Sequence, residues 1–210
     1  MLICHEKQFI FIHIPKNSGT EMSKEIKTVY CNSELMSFVE RDGPNLGIDK
    51  MHLYNSVISK FISNDILHKY VKFCIVRNPY NKIYSAWYFL KDRYGYDNIN
   101  DFIKYKVDED FIYGLEIIPG DARVHYRPQF TFTYDDNECK CVDFIIKYEN
   151  LNNDIKLLND KYNLNIPKYG NNKNIDYLKF YDLESINKIN ILYKRDFELY
   201  NYEIIEKRCN

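Results

Sequence analysis

Three apolar runs constrain this chain more than any other feature: FIFIHI at 9–14, VKFCIV at 71–76 and VDFIIKY at 142–148. Each is short, nearly continuous in its apolar character and rich in β-branched and aromatic residues, which marks a strand covered on both faces. Each is followed by a chain breaker and then by a helical pattern. Ser18, Gly19 and Thr20 open a polar–apolar repeat that runs through Tyr30. Pro79 suits the first turn of a helix reaching about Arg93, with Ile83, Ala86, Trp87 and Leu90 three to four residues apart. Asn150 is a candidate cap for a helix through about Tyr162, and Asp182 starts a last helix ending near Tyr200. Short helices are expected at 51–61 and 100–107, loops at 41–47 and 167–174, and irregular chain over 108–141. Strand–helix alternation of this kind builds an α/β fold with a mainly parallel central sheet flanked by helices.

A length of 210 residues fits one domain, 1–210, with a real core. Lys and Arg number 29 against 30 Asp and Glu, so no overall field draws the chain to nucleic acid or to an anionic membrane. The N-terminal apolar run is broken by His13 and is too short for a membrane span or a signal peptide, so a cytoplasmic location is expected. The six cysteines are scattered without a CxxC pair, which predicts reduced thiols and no metal centre. Cys74, inside the second apolar run, is expected to act as a small hydrophobe.

Two strand–turn–helix segments carry chemistry. In FIHIPKNSGTEM, a helix N-terminus offers backbone N–H groups to an anion. Gly19 permits close approach, Lys16 adds charge, and Ser18 and Thr20 add hydroxyls. This is not the nucleotide-hydrolase loop, whose Lys follows its second glycine; here Lys16 precedes the only glycine. In FCIVRNPYNKIYSAWYF, Arg77 stands at the carboxyl end of a strand, where open α/β sheets bind ligands, and Ser85 follows two helical turns later. A guanidinium fork and a hydroxyl together suit a terminal phosphate.

Taken together, KNSGT and VRNPYNKIYSAWYF resemble the sulfotransferase superfamily, most closely the carbohydrate (family 2-like) branch. MHLYNSVI, RPQF, VDFIIKYENLNNDIKLL and LYKRDFELYNY are similar to further segments of that branch. The resemblance implies a P-loop-like three-layer fold and a donor, 3'-phosphoadenosine 5'-phosphosulfate, converted to adenosine 3',5'-bisphosphate. It implies that Lys16, Asn17, Ser18, Gly19 and Thr20 hold the 5'-phosphosulfate and that Arg77 and Ser85 hold the 3'-phosphate. It further implies that Tyr148 stacks near the adenine and that Lys173 lies in a loop closing over the nucleotide. Asn17 and Ser18 depart from the usual Thr and Gly. Ser18 costs about 1 kcal/mol where a positive φ is required. Asn81 and Lys82 replace a common Asp–Arg pair.

The chemistry expected is in-line sulfuryl transfer to a hydroxyl, of a carbohydrate or a small molecule, with Lys16 stabilising the leaving oxygen. The sulfuryl group carries less charge than a phosphoryl group, and the sequence has no carboxylate cluster, so no metal is required. His52 is the expected general base, with His125 and Glu116 as the alternatives; His13 is expected to be structural. Two rival readings remain: a P-loop nucleotide kinase, and a non-catalytic nucleotide-binding protein on the same fold.

Overall fold

The computed structural model describes residues 1–35, 38–39, 48–53, 55–108, 122–170 and 175–206. Its sheet has five strands: β1 (Leu2–Cys4), β2 (Phe9–Ile12), β3 (Glu34–Leu35), β6 (Val71–Val76) and β7 (Phe144–Lys147). They lie in the order β3-β1-β2-β6-β7. A separate antiparallel pair joins β4 (Phe38–Val39) to β5 (Ile48–Asp49). The three apolar runs become β2, β6 and β7, which pair in parallel and form the sheet's centre. On the other side the sheet is antiparallel, through β1 against β2 and β3. Sequence reasoning missed β1 and β3 because two- and three-residue strands carry no periodicity.

Alternation along the strands divides the core. Phe9, Phe11, Phe73 and Ile75 face the helices α1 (Gly19–Val29) and α6 (Leu151–Tyr162), packing on Met22, Ile26, Ile155 and Leu158. Ile10, Ile12, Cys74 and Val76 face the opposite side, with Ile58 of α2 (Asn55–Ile58), Phe132 and Tyr200. Burial pushes the Cys74 thiol up to about 12, so it packs as an uncharged hydrophobe. After α3 (Asn64–Lys69) and β6, the long α4 (Pro79–Tyr94) buries Ile83, Ala86, Trp87 and Leu90. They meet α5 (Ile99–Lys106), α7 (Leu183–Leu192) and α8 (Lys194–Tyr200) in a third apolar cluster.

Four expectations are corrected. The last helix is two: α7 and α8 meet at Tyr193, which is fully buried and whose hydroxyl donates to the Tyr126 carbonyl. Asn150 does not cap α6 with its side chain. It sits in a 3-10 turn and its Nδ2 donates to Asp154, while Asp154 accepts the Lys147 N–H. Among its described residues, the span 51–61 holds the end of a 3-10 turn (Lys50–His52) and the one-turn α2 rather than a single helix. Within 108–141, two 3-10 turns form, Ala122–His125 and Gln129–Phe132, while 109–121 lies outside the described residues.

Candidate active site

Parallel pairing of β2, β6 and β7 brings their carboxyl ends side by side, and each end delivers one side chain to the same cleft: Lys16, Arg77 and Tyr148. That is where an open α/β sheet presents its ligand site. The cleft has a volume of ≈ 500 Å³ and also takes in Ser18, Gly19 and Thr20, Ser85, His52 and His125. Phe89, one helical turn beyond Ser85 on α4, completes the wall.

The first loop has a backbone suited to an anion. Lys16 (φ 68°) and Ser18 (φ 64°) are both left-handed, with Asn17 between them. Such alternation turns successive N–H groups toward one point. Ser18 precedes α1 without capping it; its Oγ donates to Glu21 at 3.4 Å. The first N–H groups of α1 therefore keep their donor capacity, with the helix dipole behind them. Ser18 carries the cost anticipated for a non-glycine residue there, about 1 kcal/mol. Gly19 is needed for a different reason: a Cβ would lie 2.0 Å from Cδ2 of the His13 ring.

Asn17 departs from its expected role. Its side chain is 1% exposed and points away from the cleft, donating to the Ile75 carbonyl at 2.8 Å and to Gln129 Oε1 at 2.7 Å. The β2–β6 ladder ends at Ile12↔Cys74, so the Ile75 carbonyl lies past the last partner and the amide takes it. Only the backbone of Asn17 is left for an anion.

Arg77 is the second pole. Its Nη1 donates to the Lys16 carbonyl at 2.9 Å, its Nη2 to Asn81 Oδ1 at 2.8 Å, and its guanidinium lies 4.1 Å from the centre of the Tyr148 ring. Asn81 thus gives Arg77 a neutral acceptor. The Arg77 Nε is buried without a protein partner, a donor that an anion would satisfy. Burial lowers the guanidinium pKa, with Tyr148 and Glu149 opposing. Burial and then Arg77 bring Lys16 down to about 8, so it still carries its charge at pH 7. The Lys16 ammonium rests 3.9 Å from the centre of the Phe89 ring, a cation–π contact. Phe89 was not foreseen, since an exposed aromatic on a helix gives no local signal.

Three imidazoles stand in a row beside the Lys16 loop. The His13 and His52 ring centres are 4.5 Å apart, and those of His52 and His125 5.6 Å. His52 Nδ1 is 3.2 Å from the His13 carbonyl. A carbonyl only accepts, so Nδ1 carries the proton and Nε2 is the basic nitrogen. Lys173 and Glu116 lie outside the described residues. Among the described residues, no group of three or more His, Cys, Asp or Glu is arranged to hold a metal, and no helix is long and apolar enough to cross a membrane.

His13 and His125 are held neutral. Burial, then His52, lowers His13 well below the usual imidazole value. Burial, then His52, Lys16, Lys82 and Arg93, brings His125 down to about 3. In the unfolded chain both take a proton near pH 6.5. Between about pH 6.5 and 3 the unfolded state therefore binds more protons, and stability falls as pH falls. Each imidazole contributes a slope of up to about 1.4 kcal/mol per pH unit. Asp196, raised to about 6 chiefly by burial, acts in the opposite sense, so the reading is the difference between two proteins. His125→Asn is expected to flatten the loss of stability between pH 6.5 and 4.5 by up to one proton, measured by denaturant unfolding at each pH; parallel curves would contradict this.

No curated protein and no solved structure gives a match to this sequence. The model of the sulfotransferase family, in its family 2 form, matches residues 1–203, a span that takes in both anion-facing loops, the three imidazoles and Tyr148. The chain belongs to the sulfotransferase family.

Proposed function

We propose that this chain, as one domain over 1–210 with a P-loop-like three-layer fold, transfers a sulfuryl group from 3'-phosphoadenosine 5'-phosphosulfate to a hydroxyl, probed first on carbohydrates. The observation that carries the reading is the convergence of Lys16, Arg77 and Tyr148 at three adjacent strand ends, with His52 in the same cleft. Lys16, the N–H groups of residues 17–20 and the hydroxyls of Ser18 and Thr20 take the 5' end. Arg77, through its unpartnered Nε, and Ser85 take the 3'-phosphate. Tyr148 supports the guanidinium on one face and stands by the adenine, and Lys173, outside the described residues, is a further candidate for nucleotide contact.

His52 accepts the acceptor's proton at Nε2 while the His13 carbonyl holds its Nδ1–H. Lys16 supplies positive charge where negative charge develops on the leaving oxygen. His125, held neutral and lining the same cleft, is the alternative base. The loss of one S–O bond is matched by the formation of another, and the proton ends on His52. No metal is required in this reading.

Thermal unfolding with and without adenosine 3',5'-bisphosphate tests it. At a hundred times the Kd, a ligand of the folded state alone adds about 2.7 kcal/mol, which raises the Tm of a chain this size by roughly 5–10 °C. A shift with magnesium and ATP but none with the bisphosphate would replace this reading with the kinase.

A further inference from the structure

Beneath the cleft lies a buried polar network in which Gln129 is the centre. Its side chain is 0% exposed. Oε1 accepts the Arg77 N–H at 2.8 Å and the Asn17 Nδ2 at 2.7 Å. Nε2 donates to the Arg77 carbonyl at 2.8 Å and to Asp196 Oδ2 at 3.3 Å. One amide thus pairs both backbone groups of Arg77, as a neighbouring strand would, just past the last β6–β7 partners, Val76↔Lys147. The same oxygen reaches the first loop through Asn17. A buried amide that satisfies two donors and offers two of its own has no spare capacity, so both loops are held in one register.

Asp196, also fully buried, fixes the Gln129 backbone, accepting from the Gln129 N–H at 2.8 Å and the Phe130 N–H at 2.9 Å. Fully buried Lys82 braces the adjoining turn, donating to the His125 and Arg127 carbonyls at 2.9 Å each. None of the three lines the cleft itself, yet Gln129 holds the backbone of Arg77 and the side chain of Asn17, and Lys82 holds the backbone of His125.

We propose that Gln129, anchored by Asp196, is a positioning residue that sets the spacing between the two anion-holding loops and so selects a ligand with two phosphate groups over one with a single phosphate. This rests on the sulfotransferase reading of the cleft. A spacing device has a signature that general destabilisation lacks. Gln129→Leu is expected to weaken adenosine 3',5'-bisphosphate at least tenfold while changing adenosine 5'-monophosphate, which spans one loop, by less than threefold. If Gln129 acts through Arg77, the double variant Gln129→Leu/Arg77→Ala binds the bisphosphate as weakly as Arg77→Ala alone.

The measurements are calorimetric titrations of the full chain, with amide hydrogen exchange of the ligand-free protein alongside. In Gln129→Leu, exchange is expected to quicken together in residues 16–20 and at Arg77 while β2 and β6 are unchanged. Asp196→Asn, which keeps the amide but weakens its anchor, carries the same comparison should Gln129→Leu not fold. Equal losses for both nucleotides, or additive losses with Arg77→Ala, would overturn the proposal. A wild type that binds neither nucleotide would remove the sulfotransferase reading instead, and unchanged loop exchange would then overturn the role of Gln129.

Discussion

Arg77→Ala is expected to abolish most of the thermal shift produced by adenosine 3',5'-bisphosphate. The guanidinium bridges the first loop and the end of β7. It donates to the Lys16 carbonyl, rests on Tyr148, and keeps an unpartnered buried Nε. Charge-assisted hydrogen bonds in such a setting contribute roughly 1.5–3 kcal/mol each. Losing the fork should therefore cost about 3 kcal/mol of binding, roughly a hundredfold in Kd. Arg77→Lys should recover only part of this, because an ammonium supplies the charge without the planar fork. Calorimetric titration of the three proteins decides it; an Arg77→Ala variant within threefold of wild type would remove the 3'-phosphate from this position.

The second large effect is expected at His52. His52→Asn should lower kcat by a factor of about 10²–10⁴, the usual contribution of general base catalysis, with the affinity for the bisphosphate within about twofold. Asparagine is the informative replacement. Its Nδ2 can still donate to the His13 carbonyl, so the local structure is kept while the basic nitrogen is lost. The measurement is release of adenosine 3',5'-bisphosphate from the donor in the presence of a panel of hydroxyl acceptors, carbohydrates first. A larger loss in His125→Asn than in His52→Asn would move the base to His125.

The parts legible in the sequence are those with local patterns. The three parallel strands announced themselves because burial on both faces leaves continuous apolar runs. Asn78–Pro79 marked the start of α4, and the structure has Asn78 accepting from the Tyr80 N–H with Pro79 in the first turn. The break between α7 and α8 was hidden, because it depends on Tyr193 reaching a carbonyl 67 residues away. Asn17 shows the same limit. Its type suits an anion loop, yet its side chain is claimed by a β6 carbonyl and by Gln129, 112 residues on. Gln129 was visible only as part of RPQF; its partners Arg77 and Asp196 are 52 and 67 residues distant. Nothing local marks Lys82 or Asp196 as interior, and both are fully buried.

His13 is a common ruler for the first loop and His52. Its imidazole fits against the bare Cα of Gly19 on one side and meets the His52 ring edge-on at 4.5 Å on the other. The distance from the start of α1 to His52 is therefore one ring wide. A scan of single substitutions would find position 19 intolerant and attribute this to phosphate contact, although the steric demand comes from an imidazole. Anyone enlarging the cleft for a bulkier acceptor has to treat residues 13, 19 and 52 as one gauge block and alter them together.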